Sequence, residues 1–348
     1  MSEQKVIFAF DSFKGCLTAR EACRAAASGW RKSHPDAHLV CLPMSDGGEG
    51  MVESIAEAVG AERVSVMVHG PLMQPVEALY ALSADGQTAY MEMAAASGLT
   101  LVTPEQRDPM QTTTYGVGEM ILDAVRRGCR RIVMGIGGSA TCDGGQGMVE
   151  CLKDHLPLPV EVIVASDVNN PLYGPQGAAY IFAPQKGATP EQVVLLDERL
   201  RRFARETERQ GIAHPTLADH PGAGAAGGLG YGLMAYLGAT LQSGIDLVLD
   251  TIGFDQKIAG ATCILTGEGQ SDKQTLMGKV PMGILRRATQ QGIPVHLLSG
   301  AIQDADLLLQ SGFATVRSIN AHDHRPLSIL LQKEVAAKNI EIAVQGVV

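Results

Sequence analysis

The chain has 348 residues, 45% hydrophobic and 19% charged, with Lys+Arg 28 against Asp+Glu 37 for a net charge of −9. That length suits about two domains, and that composition suits a folded protein with a large core. The acidic balance argues against a nucleic-acid partner, which needs a basic face, yet still allows a locally positive site for small anions.

Taken in chain order, residues 5–10 form a short apolar run that reads as a buried strand. Thr18 followed by Glu21 is a capping box, and apolar positions recur at helical spacing through Trp30. A second strand over 38–43 ends at Ser45-Asp46-Gly47, and a helix at about 49–59 follows. Strand, glycine turn and helix in repetition predict a parallel α/β sheet. After Gly60 the character changes. Short strands are expected at 64–68, 76–82 and 88–93, with Asp85-Gly86 as a hairpin signal. A helix at 115–127, strands at 131–136, 160–165 and 178–182, and helices at 190–209 and 225–238 follow. A strand at 263–266, a helix at 280–290 and strands at 295–299 and 315–319 resume the first pattern.

The expected fold is therefore α/β. A Rossmann-like parallel-sheet domain comes from both chain ends, residues 1–65 and 262–348, with a second α/β domain, 66–261, inserted. The seven cysteines, at 16, 23, 41, 129, 142, 151 and 263, form no CxxC pair and suit reduced thiols better than a disulfide framework. The apolar run at 6–10 is too short for a signal peptide, and no run approaches the roughly 20 residues of a membrane span. A soluble, cytoplasmic protein without a membrane partner is expected.

Glycine and acid recur together at the ends of apolar runs. Asp11-Ser12-Phe13-Lys14-Gly15 follows the first strand, where ligands of open α/β sheets gather. Lys14 could pair with a phosphate or a carboxylate, and Asp11 could hold a metal or take a proton. Asp46 and Glu49 flank the next glycines, although both also suit a helix start for capping and dipole reasons alone. The loop 135–145 holds Gly137, Gly138, Ser139 and Thr141, amides and hydroxyls able to cradle phosphate, and then Asp143. It lacks the Gly-Lys-Ser/Thr ending of a Walker A loop. Asp167 and Asn169 follow the 160–165 strand and offer oxygen ligands or a general base, or an Asx turn before proline. Gly222, Gly224 and Gly227 match a dinucleotide fingerprint by letter, but 214–220 is too polar for the strand that should precede it. Glu268 and Asp272 are metal or acid–base candidates, and Lys279 could neutralise phosphate charge. The nine histidines fall at no metal-binding spacing.

In this order the islands resemble the bacterial type I glycerate kinases, which make 2-phosphoglycerate. The matching stretches are DSFKG, PMSDGGEG, MEMAAASGL, GIGGSATCDGGQGM, SDVNNPLYGPQGA, PQKGA, PGAGAAGGLGYGLMA and LTGEGQSDKQTLMGKVP, running from Asp11 to Pro281. The resemblance implies ATP, Mg²⁺ and D-glycerate, and two α/β domains with the active site in the cleft between them. On it we expect catalytic roles for Asp167, Lys14, Glu268 and Asp272; the resemblance does not single out the base, for which we favour Asp167 at its strand end. Nucleotide phosphates would meet Gly137, Gly138, Ser139, Thr141, Gly222, Gly224, Gly227 and Lys279. Substrate would meet Asp11, Ser12, Lys14 and Asn169, and metal Asp46, Asp143 and Glu268. The protein would act as a monomer or homodimer. Three departures stand out: Cys142 where the family usually has Asn, Gln270 where it often has Arg, and a short link over 149–159. They keep open a non-catalytic or reassigned paralogue that binds a glycerate-like metabolite. The glycines at 222–227 keep open an NAD-dependent oxidoreductase.

Overall fold

The computed structural model describes residues 4–48 and 50–347. The chain forms two compact units, Met1–Asp46 with Ile245–Val348, and Gly47–Gly244. The joins fall at 46/47 and 244/245, whereas the sequence expectation set them at 65/66 and 261/262. Packing explains the difference. Helix Met51–Val59 lies on strands Pro75–Leu82 and Thr88–Glu92 of the second unit. Residues 245–258 are tied into the first unit by Arg287, which pairs with Asp250 and Asp255. Among the described residues no helix is long and apolar enough to cross a membrane.

The first unit is built on a five-stranded, wholly parallel sheet. Its order is Thr315–Ser318, Val295–Ser299, Cys263–Gly267, Lys5–Phe10, His38–Cys41. The central strands are buried along their length, as their unbroken apolar runs require when helices cover both faces. Helix Ala19–Ser33 starts at the expected capping box: the Glu21 amide donates to Thr18 Oγ1 at 3.2 Å, and the Thr18 amide donates to Glu21 Oε2 at 3.0 Å. It buries Ala22, Cys23, Ala26 and Trp30 at helical spacing. Helix Lys333–Gln345 packs on it through Ala336, Ile340 and Val344. Gly29 permits that approach, since a Cβ there would lie 2.3 Å from the Glu341 carbonyl oxygen. The parallel arrangement puts the carboxyl ends of all five strands along one edge, and the loops bearing Asp11, Glu268, Gly300 and Asn320 all leave from it.

The second unit holds a six-stranded sheet in the order Glu62–His69, Pro75–Leu82, Thr88–Glu92, Arg131–Gly135, Glu161–Ala165, Thr240–Gln242. The first two pairings are antiparallel and the rest parallel. This matches the change of pattern read after Gly60. Helices Tyr115–Arg126 and Pro190–Arg209 lie where the sequence predicts them. Residues 178–182, expected as a strand, form helix Ala178–Phe182 instead. A five-residue apolar run does not tell strand from helix. Here Ala178, Ala179 and Ala183 supply a small buried face against helices Pro190–Arg209 and Ala225–Leu237, while Tyr180 and Ile181 stay exposed. In the segment Ala225–Leu237, residues Ala226, Gly227 and Gly228 are left-handed, so regular helix begins only after Gly228.

Candidate active site

Strand ends of the first unit surround a cavity of about 470 Å³. Asp11, Ser12 and Lys14 enter from the end of Lys5–Phe10, Glu268 from the end of Cys263–Gly267, and Gly300 from the end of Val295–Ser299. Asp46 and Lys279 complete the charged wall, and Leu327, Leu330 and Leu331 form an apolar one. Close strand packing fixes these positions. A Cβ on Gly267 would sit 1.7 Å from the Leu298 carbonyl oxygen, so only glycine lets the chain turn there beside its neighbour.

Asp11 is 9% exposed and accepts a 2.6 Å hydrogen bond from the Ser12 amide. Its own amide donates to the Gly267 carbonyl, which locks the loop to the adjacent strand. Burial, then the Asp46 and Glu268 charges, push its carboxyl up to about 7, against the Ser12 amide and Lys14. Glu268 is also buried. Its Oε1 accepts from Ser271 Oγ at 3.0 Å and Thr275 Oγ1 at 2.7 Å, while Oε2 lies 3.7 Å from Lys279 Nζ. Burial raises its carboxyl too, opposed by Thr275, Lys279 and Ser271. Asp272, expected as catalytic, stands apart from the two buried carboxylates. It lies outside the cavity lining, and its carboxylate accepts the Gln274 amide at 2.7 Å and Gln270 Nε2 at 3.3 Å, an Asx turn that shapes the loop. Gln270, the departure from the family pattern, lines the cavity.

In the second unit the glycine loop follows strand Arg131–Gly135. Gly137 and Gly138 are exposed. Ser139 is buried and receives Lys186 Nζ at 2.6 Å, and the same ammonium donates to the Thr141 carbonyl at 2.7 Å. Thr141 has no exposed surface, and its buried hydroxyl has no hydrogen-bond partner among the described residues. Asp143, expected as a metal ligand, is surrounded by local donors. Oδ2 accepts from the Thr114 amide, the Thr114 hydroxyl and the Gly147 amide, and Oδ1 from the Gly145 amide, all at 2.8–3.1 Å. Four such bonds use up its acceptor capacity. Cys142 is explained by packing. It is buried beside Leu172, Ala178 and Leu200, and burial pushes its thiol up to about 11.

Gly222, Gly224 and Gly227 are buried and packed against neighbouring loops. Added Cβ atoms would lie 2.2 Å from the Pro171 carbonyl oxygen at Gly224 and 2.0 Å from the Thr141 carbonyl oxygen at Gly227. Among the described residues no strand leads into this segment, which the dinucleotide reading requires. A dinucleotide site would place a ribose-binding acid about 20 residues after these glycines; Asp246, near that spacing, pairs with Arg286. Asp167 and Asn169 are exposed at the end of strand Glu161–Ala165, and Asp167 Oδ1 accepts the Gly244 amide at 3.0 Å. Glu49 lies outside the described residues. Among the described residues no three acidic, histidine or cysteine side chains converge as a complete metal ligand set.

Lys186 is the residue that sequence reasoning missed, although it stands inside the PQKGA stretch. Its signal was a single lysine in a tight Pro-x-Lys-Gly turn between apolar segments, where the side chain has no path to water.

These frames and sites belong to an α/β protein of a known kind. The glycerate kinase family pattern matches residues 6–157 and 153–348, and the chain belongs to that family. It is 41% identical to a glycerate kinase of Halalkalibacterium halodurans over 97% of each chain. It is 42% identical to an Escherichia coli protein named glycerate 2-kinase, over 90% of each chain. A crystal structure from Salmonella typhimurium LT2, provisionally named glycerate kinase 2, superposes with a TM-score of 0.85 at 38% identity, covering 99% of this chain and 97% of that one.

Proposed function

We propose that the protein transfers the γ-phosphoryl group of ATP to the 2-hydroxyl of D-glycerate, giving 2-phospho-D-glycerate, with Mg²⁺ as the accompanying cation. Family membership and the similarity to a protein named glycerate 2-kinase support the reaction. The observation that carries the reading is the cavity in which Asp11, Asp46 and Glu268 share walls with Lys14 and Lys279. Phosphoryl transfer depends on positioning and charge neutralisation more than on covalent chemistry, and this wall supplies both.

The donor chemistry suits Mg²⁺. Asp46 and Glu268 each add to the charge that raises Asp11, a repulsion that a divalent cation relieves. Mg²⁺ takes one or two carboxylates together with phosphate oxygens, so a full protein cage is not needed. Asp46 and Glu268 would hold it, and when bound it neutralises charge on the phosphate oxygens. Lys14 pairs with the glycerate carboxylate and Ser12 hydrogen-bonds its hydroxyl. Lys279, placed by Glu268, faces the transferring group. As the 2-hydroxyl oxygen bonds to the γ-phosphorus and ADP leaves, a carboxylate takes the hydroxyl proton. The sequence favours Asp167 for that proton. Burial in one cavity with Ser12 and Lys14 favours Asp11. The test is incubation with ATP, Mg²⁺ and D-glycerate and assignment of the phosphorylated carbon by ³¹P NMR. Release of no ADP, or phosphate on the 3-hydroxyl, refutes the proposal.

A further inference from the structure

The turn Pro184–Lys186 ends at Gly187, whose φ is +98° and whose added Cβ would lie 2.2 Å from the Arg107 carbonyl oxygen. The tight turn aims Lys186 inward, leaving it 3% exposed, the only buried lysine among the described residues. Its two hydrogen-bond acceptors, Ser139 Oγ and the Thr141 carbonyl, are both neutral. Among the described residues no carboxylate forms an ion pair with it. Asp143 acts on it through space but spends its oxygens on Thr114, Gly145 and Gly147. A buried ammonium with only neutral partners is costly to hold, and a nearby anion offsets that cost.

The outer face of the same loop supplies a place for one. Among the described residues no acceptor takes the amide N–H of Gly137, Gly138 or Ser139. Gly137 and Gly138 are exposed, and Gly138 has a φ of +75°. Successive amides around a left-handed residue form an anion-binding concavity. Two exposed donors, a third at buried Ser139 and the Lys186 ammonium beneath match a polyanion better than a single carboxylate.

We infer that Lys186 is the buried charge that enables residues 137–139 to hold a polyphosphate chain, acting through Ser139 rather than by touching the ligand. Lys186 is thus a positioning residue. Identification of the chain as that of a nucleoside triphosphate rests on the kinase reading above. The test uses inorganic tripolyphosphate and MgATP in titration calorimetry. Lys186→Gln keeps a donor and removes the charge, and Lys186→Met removes both. Either variant should bind tripolyphosphate and MgATP roughly 10- to 100-fold more weakly, the range expected for loss of a charge-assisted interaction. Adenosine binding and the KM for glycerate should stay put, which a general loosening of the fold would not allow. A folded Lys186→Gln protein with wild-type tripolyphosphate affinity overturns the inference. Should neither variant fold, the wild-type protein decides. The buried Lys186 ammonium exchanges slowly and gives its own ¹⁵N–¹H signal. That signal should shift on addition of tripolyphosphate, and a signal that stays in place overturns the inference. Lys186-dependent tripolyphosphate binding without phosphoryl transfer to glycerate would refute the reaction and leave the anion site standing.

Discussion

Replacing Asp11 by Asn should stabilise the ligand-free protein and disable it at the same time. The Asp11 carboxyl is pushed from 3.8 to about 7, first by burial and then by Asp46 and Glu268. A carboxyl raised in the folded state binds more protons than in the unfolded chain between those two values. Stability therefore falls as pH rises through the window from 3.8 to about 7, and below that window the group has no effect. At roughly 1.36 kcal/mol per unit, the full gap corresponds to about 4 kcal/mol of destabilisation at pH 8. At pH 5 only the first part of the window has been crossed, and the cost is about 2 kcal/mol. Asparagine keeps an oxygen that can accept the Ser12 amide while removing the buried charge.

Urea unfolding of the wild type and of Asp11→Asn at pH 5 and pH 8, without ligands, measures this directly. The midpoint of the variant should lie above that of the wild type, with the larger gain at pH 8. If Asp11 takes the hydroxyl proton, kcat should fall roughly 10²- to 10⁴-fold in the same variant. Gain of stability with loss of turnover is the signature of a group kept for function at a structural cost. An equal midpoint shift at both pH values, or a loss of stability at pH 8, would show that the charge is solvated or compensated and refute the reasoning.

Asp167→Asn is the companion variant: a kcat lowered by about 10²- to 10⁴-fold supports its role as base, and an unchanged kcat in steady-state assays removes it. Lys279→Met leaves Glu268 without the cation 3.7 Å away, and should raise the carboxyl of Glu268 further and lower kcat, read from the pH–rate profile. A profile identical to wild type would contradict the pairing. Gly227→Ala forces a Cβ to 2.0 Å from the Thr141 carbonyl oxygen, so a loss of roughly 3 kcal/mol or more is expected in urea unfolding. Gly138→Ala meets nothing closer than Ala94 Cβ at 3.5 Å, so only the left-handed backbone opposes it, at about 1 kcal/mol. A Gly227→Ala protein as stable as Gly138→Ala would argue against the packing role.

Much of this fold was legible because its strands are short and apolar, with glycine-bearing turns close to many of their ends. Lys5–Phe10, Val295–Ser299 and helix Val280–Gln290 lie where periodicity places them. Asp11 and Glu268 could be matched from sequence because each follows a strand directly, and parallel neighbours bring such positions to one edge. The strand Thr240–Gln242 was not legible, since three residues carry no pattern. Helix Ala178–Phe182 was misread because its apolar run suits a strand equally well until its small face meets two other helices.

The site residues divide along the same line. A motif reports which atoms are available, not what already occupies them. Asp143 and Glu268 look alike in sequence, each an acid among glycines. Four local donors close around Asp143, whereas Glu268 spends one oxygen on two hydroxyls and turns the other toward Lys279. The glycines at 222–227 and at 137–138 also look alike. The first set is buried under carbonyl groups of neighbouring loops, and the second is exposed with amides that have no partner among the described residues. Lys186 reverses the usual inference for a lysine in a turn, because the fold buries it beneath the second set. The charge of that site therefore comes from a segment some 45 residues downstream of the loop it serves.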